Sequence, residues 1–247
     1  QVGFCYWPFN VDLTRRLATA AERCGYDMIG VADTPGNAMD PWVTATLLAE
    51  QTKYPKLSIC VTNLTSRHPS TTAAAIASLD LVSGGRAILG VGAGNSGTRN
   101  LGLGGSKAEQ LKEGVRFIQT LLQGKPASYG GATAHLPWVK RAPPVFQAAS
   151  LPRSLEVAGE AADGVFANFG LDEQSLRASV EHVGRGAARV NRVVDDLDIW
   201  QIACLDCHDD RTLARNKIGA NLAFVSGDVI GTGDLASRGV PERFIEP

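Results

Sequence analysis

Apolar positions along this chain come in short unbroken runs rather than in single alternation. They recur at Val2–Phe9, Met28–Ala32, Leu57–Val61, Arg86–Val91, Val145–Ala149, Gly164–Ala167 and Asp198–Leu205. A run of this length suits a strand buried on both faces, as in a parallel sheet. Between the runs the apolar residues space themselves as on helices. These cover Leu13–Cys24, Pro41–Thr52, Thr72–Val82, a segment with Leu111, Val115, Ile118, Leu121 and Leu122 on one face, Pro152–Ala161, Glu173–Val190 and Asp210–Phe224. The punctuation agrees. Asn10 or Asp12 is placed to cap the first helix and Gly25 to end it, while Ser106 is placed to cap the segment before Leu111. Pro41, Pro69 and Pro152 stand in first turns, where a missing N–H leaves nothing unpaired.

The stretch Leu57–Gly97 holds strand, loop, helix, strand and loop in succession, which is a βαβ unit. Its repetition predicts an α/β fold with a parallel sheet. At 247 residues, closure into a TIM-like (β/α)8 barrel is the expected architecture, since such barrels take about 250 residues and closure removes the edges. An open doubly wound sheet is the alternative. Val225–Pro247 shows no eighth strand, so the eighth unit is expected to be incomplete or irregular. Lys125–Pro144 is rich in Gly and Pro and breaks the alternation; it reads as an excursion, a hairpin over the barrel mouth. No linker interrupts the pattern, so 1–247 reads as a single domain.

Composition narrows the partners. A net charge of −1 offers no electrostatic footprint for nucleic acid or an anionic membrane. No apolar run approaches the roughly 20 residues of a membrane helix. Gln1 leads directly into a strand-like segment without a secretory pattern. Five scattered cysteines, an odd count, suit reduced thiols, so a cytoplasmic location is expected. Cys204-x-x-Cys207-His208 spells a haem-attachment or dithiol pattern. Without an export signal it reads instead as a core thiol in the last strand plus a loop thiol, with no metal. An open sheet edge would invite pairing, so a homodimer or higher homo-oligomer is expected.

Sites in α/β folds lie at the C-terminal ends of strands. Gly92, Ala93, Gly94 and Asn95 are small enough there for backbone to approach a planar ring, or simply form a tight turn. Gly92-x-Gly94-x-x-Gly97 also spells the dinucleotide fingerprint, but a loop that continues to Gly105 with no helix opening at the third glycine argues against that use. Ala148, Ala149, Ser150 and Leu151 lead into a helix start, where free N–H groups can hold a phosphate and Arg153 either adds charge or is solvated. Asn168 ends the sixth strand within reach of a cofactor. Asp33 ends the second and is the candidate for proton handling, or else a helix cap. His68 reads as a loop-orienting residue. Trp7 and Phe9 read as a pocket wall or as core.

Several strings together carry a resemblance. They are Val61-Thr62-Asn63 with Arg67-His68-Pro69, Leu79-Asp80-Leu81-Val82-Ser83-Gly84-Gly85-Arg86, and Gly90-Val91-Gly92-Ala93-Gly94. A second block is Pro144-Val145-Phe146-Gln147-Ala148-Ala149, Arg153 to Gly159, and Ala162-Asp163-Gly164-Val165. From Val2 to about Phe224 the chain resembles the luciferase-like superfamily of flavin- and deazaflavin-dependent oxidoreductases. The resemblance implies a TIM-like barrel with the tricyclic ring lying across the strand C-termini. The branch using the deazaflavin coenzyme F420, of the methylene-tetrahydromethanopterin reductase type, is more similar than the FMN branch. That branch implies a non-proline cis peptide at Cys60–Val61, backing the ring, with Cys60, Val61, Thr62 and Asn63 at the cofactor. Two departures stand out. The family often has Asp-His where this chain has Asp33-Thr34, and an acid where it has Asn95.

The leading expectation is therefore hydride transfer between a deazaflavin and a small organic substrate. One alternative is an FMN-dependent monooxygenase that activates dioxygen under the Lys125–Pro144 excursion as a lid. The two differ at ring position 5, where carbon does not support the oxygen chemistry that nitrogen does. The other alternative is a cofactor-binding protein without turnover, motivated by Thr34 and Asn95.

Overall fold

The computed structural model describes residues 1–219 of the chain. Contacts divide it into two compact units, Gln1–Trp200 and Gln201–Pro247. In the second, 211–219 is helical, started by Asp210, whose Oδ1 accepts from Thr212 N at 2.8 Å and Leu213 N at 3.3 Å. The remainder of the expected Asp210–Phe224 helix, and the expectation for Val225–Pro247, lie outside the described residues.

In the first unit β1 (Gly3–Tyr6), α1 (Val11–Cys24), β2 (Met28–Val31), α2 (Pro41–Gln51), β3 (Lys56–Asn63), α3 (Pro69–Val82) and β4 (Ala87–Gly92) follow in turn. A one-turn helix α4 (Ser96–Arg99), α5 (Ala108–Leu122) and a hairpin of β5 (Ala127–Tyr129) and β6 (Ala132–Ala134) come next. Then come β7 (Val145–Ala149), α6 (Pro152–Ala161), β8 (Gly164–Ala167), α7 (Glu173–Ala188) and β9 (Asp198–Gln201). The seven-stranded sheet has the order β1-β2-β3-β4-β7-β8-β9, and β1 through β8 pair in parallel. It curls into a half-barrel, so the α/β fold and parallel sheet are as the alternation predicts.

Period-two alternation sorts the strand side chains into two layers. Ile29, Val31, Leu57, Ile59, Leu89, Val91 and Val145 point outward and join Ala45, Leu48, Ile76 and Leu121 of the helices in one core. Met28, Ile88, Phe146 and Phe166 form a separate inner cluster, with Cys60, Val61, Ala148 and Trp200 packed on it. Asn10 caps α1 as read, and two further helices are capped by the residue before their first-turn proline. Asn10 Oδ1 accepts from Leu13 N at 2.8 Å, Asp40 Oδ1 accepts from Trp42 N at 2.9 Å, and His68 Nδ1 accepts from Ser70 N at 3.2 Å.

The charged residues of the 79–86 string work at the opposite, N-terminal side of the sheet. Buried Asp80 accepts from Arg141 Nε at 2.8 Å and from Ala87 N at 3.3 Å. Arg86 donates to the carbonyls of Ala49, Thr52, Pro55 and Ser83 at 2.8–3.0 Å, stitching the end of α2 to the start of β4.

Several expectations are corrected. β1 stops at Tyr6 because Pro8 has no N–H for the ladder, and Trp7 and Phe9 beyond it are 41% and 62% exposed, neither core nor strand. β9 stops at Gln201, so Cys204 lies outside the strand. α5 is capped by Lys107, whose N–H reaches Gln110 Oε1 at 2.9 Å, while Ser106 Oγ faces Thr65 Oγ1 at 3.1 Å instead. The loop after β4 is broken by α4, so a helical turn does include Gly97. Lys125–Pro144 does contain a hairpin, but its Ala127, Tyr129, Ala134, Leu136 and Val139 pack on the outer helix-covered core. Tyr129 meets the rings of Phe117 at 5.2 Å and His68 at 5.8 Å. Those apolar side chains gain more from the helix layer than from a wet mouth.

Candidate functional site

Three strand tips meet on the inner face. A Cβ placed on Gly92 would lie 2.8 Å from Val61 Cγ2 and 3.6 Å from Ala148 Cβ. One placed on Gly90 would lie 2.9 Å from Val61 Cγ1 and only 2.4 Å from the Ile59 carbonyl. Val61 thus lies over both glycines, and a side chain at either would lift it. The Cys60–Val61 peptide is cis, and the register between β3 and β4 shifts between Ile59 and Thr62. Cys60, Val61 and Ala148 are half-buried and open toward the inside of the sheet. The result is a shallow floor of Val61, Gly92 and Ala148.

Beside it stands a buried ion pair. Asp33, directly after β2 and its neighbour Ala32, accepts Thr62 Oγ1–H at 2.6 Å and Arg67 Nε–H at 2.9 Å. Arg67 reaches on through Nη2 to Asp40 Oδ2 at 2.6 Å. Burial opposes the charge on Arg67, but the bonds to Asp33 and Asp40 outweigh it and raise its pKa. One guanidinium therefore ties the loop after β2 to the loop after β3, with Nε on one carboxylate and Nη2 on the other. Thr62 turns its hydroxyl into this cluster.

The glycine loop folds back over the same corner. A Cβ on Gly97 would sit 2.6 Å from the Asp33 carbonyl and 3.3 Å from Asn63 Nδ2, so α4 rests directly on the end of β2. This is close packing of backbone on backbone, the need that a glycine there meets. Thr34 Oγ1 and Ser96 Oγ lie 3.4 Å apart. Gly94 has φ +94°, and Ser106 N donates to the Ala93 carbonyl at 2.6 Å, closing the loop on itself. Asn95 Oδ1 accepts from Arg99 at 2.8 Å. Asn63 is buried, and its Oδ1 accepts from Thr65 N, Ser66 N and Ser66 Oγ at 2.8–3.1 Å, which shapes the loop that carries Arg67.

On the other side of the floor, β7 runs through Ala148 and Ala149 into Ser150 and Leu151. Leu151 precedes α6 with no side chain capping it; its own N–H goes to Ser154 Oγ at 3.0 Å. The first-turn N–H groups of Arg153 and Ser154 have no helical carbonyl to reach. Arg153 itself turns away, to Glu109 and toward Glu156 and Glu160 at 3.6 Å. Asn168, after β8, is half-buried, and its N–H pairs with the Ala149 carbonyl at 2.9 Å. The site also takes in Asp40, which no sequence signal marks, and Arg67, whose only signal is the RHP string. Among the described residues no group of three or more His, Cys, Asp or Glu is arranged to hold a metal, and no helix is long and apolar enough to cross a membrane.

Comparison with known proteins gives the family. The family model of luciferase-like monooxygenases matches residues 7–241. The chain is 32% identical over 226 residues to the 5,10-methylenetetrahydromethanopterin reductase of Methanolobus tindarius, covering 88% of this chain and 68% of that protein. It is 31% identical over 212 residues to the protein of the same name from Archaeoglobus fulgidus, covering 83% and 63%. The structure of the coenzyme F420 dependent tetrahydromethanopterin reductase from Methanopyrus kandleri superposes with a TM-score of 0.84 at 27% identity, over 98% of this chain and 76% of that one.

Proposed function

The chain belongs to the luciferase-like monooxygenase family, and from that premise we propose that it is an F420-dependent oxidoreductase, passing a hydride between the deazaflavin and a small organic substrate. Its half-barrel is of the TIM-like (β/α)8 class. The observation that carries the reading is the meeting of Val61, Gly92 and Ala148, where the Val61 methyl groups lie over Gly90 and Gly92 beside the Ala148 methyl and form a floor for a tricyclic ring. The similarity to a reductase structure named for coenzyme F420 favours the deazaflavin over FMN, and a hairpin seated on the helices removes the lid that oxygen chemistry under FMN was expected to use.

The bound deazaflavin supplies a ring carbon that takes or gives two electrons and a proton as hydride. Everything else falls to the chain. Val61 presents its two methyl groups upward from Gly90 and Gly92 and excludes water from the face it covers. The tip residues Cys60, Thr62 and Asn63 hold Val61 in place. Ala93, Gly94 and Asn95 wall one side, and Ser150, Leu151 and Asn168 the other, while Ala149, expected at the cofactor, turns its methyl group the other way into the cluster of Leu155, Ala158 and Val183. The open first turn of α6 offers its N–H groups of Arg153 and Ser154 to an anionic group. Asp33 accepts from Thr62 and twice from Arg67 and holds two loops together, so its service is positioning, and hydride transfer asks no acid of it. β1 stands at one end of the strand order of the described residues, and the chain is proposed to self-associate.

The test is a fluorescence-quenching titration with F420 and, separately, FMN. Saturable F420 binding with no FMN binding is expected, and the reverse preference sinks the reading. Isotope exchange from deuterated F420 into a panel of small unsaturated substrates then separates turnover from binding alone.

A further inference from the structure

Cys5 and Cys60 stand on either side of Gly30. In the sheet β2 runs between β1 and β3, and Cys5 is the register partner of Gly30. A Cβ on Gly30 would lie 2.9 Å from Cys60 Cβ and 3.2 Å from Cys5 Cβ, so both cysteines lean over the one residue that has no side chain. The Cys5 thiol donates to the Cys60 carbonyl at 3.1 Å. Both thiols are free; Cys5 is exposed and Cys60 half-buried beside Val61. The two Cβ atoms so placed about Gly30 put both side chains on one face of the sheet, and hydrogen bonding with Cys5, reinforced by burial, raises the Cys60 pKa well above its ordinary value.

We propose that Cys5 and Cys60 form a two-thiol site for a soft, two-coordinate cation of the Cu(I) type, set in the floor of the ring slot. Sulfur ligands select such ions over harder ones. The strand spacing explains why the pair suits an inserted atom. Two strand spacings separate the backbones by roughly 9 Å, whereas a disulfide needs Cα atoms within about 7 Å. An atom between the sulfurs closes that gap. On binding, each thiol releases its proton to solvent and two sulfur–metal bonds form; no electron is transferred. Cys5, the exposed partner, meets the ion first, and Cys60 completes the bridge.

A trivalent arsenical reads the same geometry by mass. Phenylarsine oxide condenses with two thiols: two As–S bonds form, the oxygen leaves as water with both thiol protons, and arsenic stays trivalent. The protein used carries Cys204→Ser and Cys207→Ser, which removes the other closely spaced pair. One adduct per chain is expected, retained against excess 2-mercaptoethanol, released by 2,3-dimercaptopropanol, and lost in both Cys5→Ser and Cys60→Ser. Cu(I) competed against a chelator is expected to bind one per chain and at least 100-fold more weakly in Cys5→Ser. No retained adduct, or one that survives Cys5→Ser, overturns the site. Placement in the slot rests on the cofactor reading: F420 affinity falls at least tenfold after arsenical capture. Unchanged affinity overturns the placement, while failure of F420 to bind the untreated protein counts against the cofactor reading alone.

Discussion

Arg67 donates from Nε to Asp33 Oδ2 at 2.9 Å, and the Asp33 side chain is 1% exposed. A carboxylate that deep is tolerable only while its partner stays, because removing one member leaves a buried charge without compensation. Arg67→Ala is therefore expected to cost about 3–5 kcal/mol in urea unfolding. Arg67→Lys should recover less than half of that, since a single Nζ does not reproduce the separate positions from which Nε and Nη2 reach Asp33 and Asp40. The double change Arg67→Ala with Asp33→Asn should be more stable than Arg67→Ala alone. If it is not, the charge on Asp33 is not what Arg67 holds.

Gly92 and Val61 give the sharpest test of the floor. In Gly92→Ala the new methyl group would lie 2.8 Å from Val61 Cγ2, so Val61 must rise into the slot. F420 affinity should fall at least tenfold while the melting temperature moves little. Val61→Ala in the same chain makes room and should restore most of the affinity, a coupling expected of residues in contact. Loss of affinity that Val61→Ala does not relieve would mean that Gly92 acts through the loop after it.

How far the chain could be read depended on what each feature rests on. Periodicity and punctuation located the seven strands because each is a short apolar run, and β2, β4 and β8 are buried on both faces throughout. It missed strand ends where one residue decides, as Pro8 does for β1. Small residues at the tips showed up as a string, Gly92-Ala93-Gly94, because small size is visible in a sequence. The meeting of Asp33, Thr62, Arg67 and Asp40 did not, since its bonds join positions 27 to 34 apart and depend on which way side chains turn. Asn63 shows the same limit from the other side. Its place at a strand tip suggests a ligand contact, yet its side-chain oxygen is taken up by the loop's own N–H groups.

Arg86 should separate stability from binding. It satisfies four backbone carbonyls at the far side of the sheet from the slot. Arg86→Met leaves them without that donor, at roughly 1–3 kcal/mol for each group that water cannot reach. Chemical denaturation should show a loss of at least about 3 kcal/mol on that basis, with the F420 dissociation constant changed less than twofold when measured well below the unfolding transition. A matching loss of affinity would show that this end of the barrel communicates with the other.

Cys60 and Tyr6 set the response to alkali. Hydrogen bonding with Cys5 and burial raise the Cys60 pKa above its ordinary value of 9.0, and burial raises Tyr6 above 10.0. Below 9.0 folded and unfolded chains both keep the Cys60 proton, so this group leaves stability independent of pH. Above it the unfolded chain releases the proton while the folded chain keeps it. The unfolded state then binds fewer protons, and stability falls as pH rises. The fall continues until the folded thiol also titrates, and Tyr6 adds to it from above 10.0 by the same sign. Melting temperature should thus decline through the alkaline range in the parent and decline less steeply in Cys60→Ala, which has no thiol to hold protonated. An alkaline slope identical in the two proteins would show that the Cys60 proton is not retained by the fold.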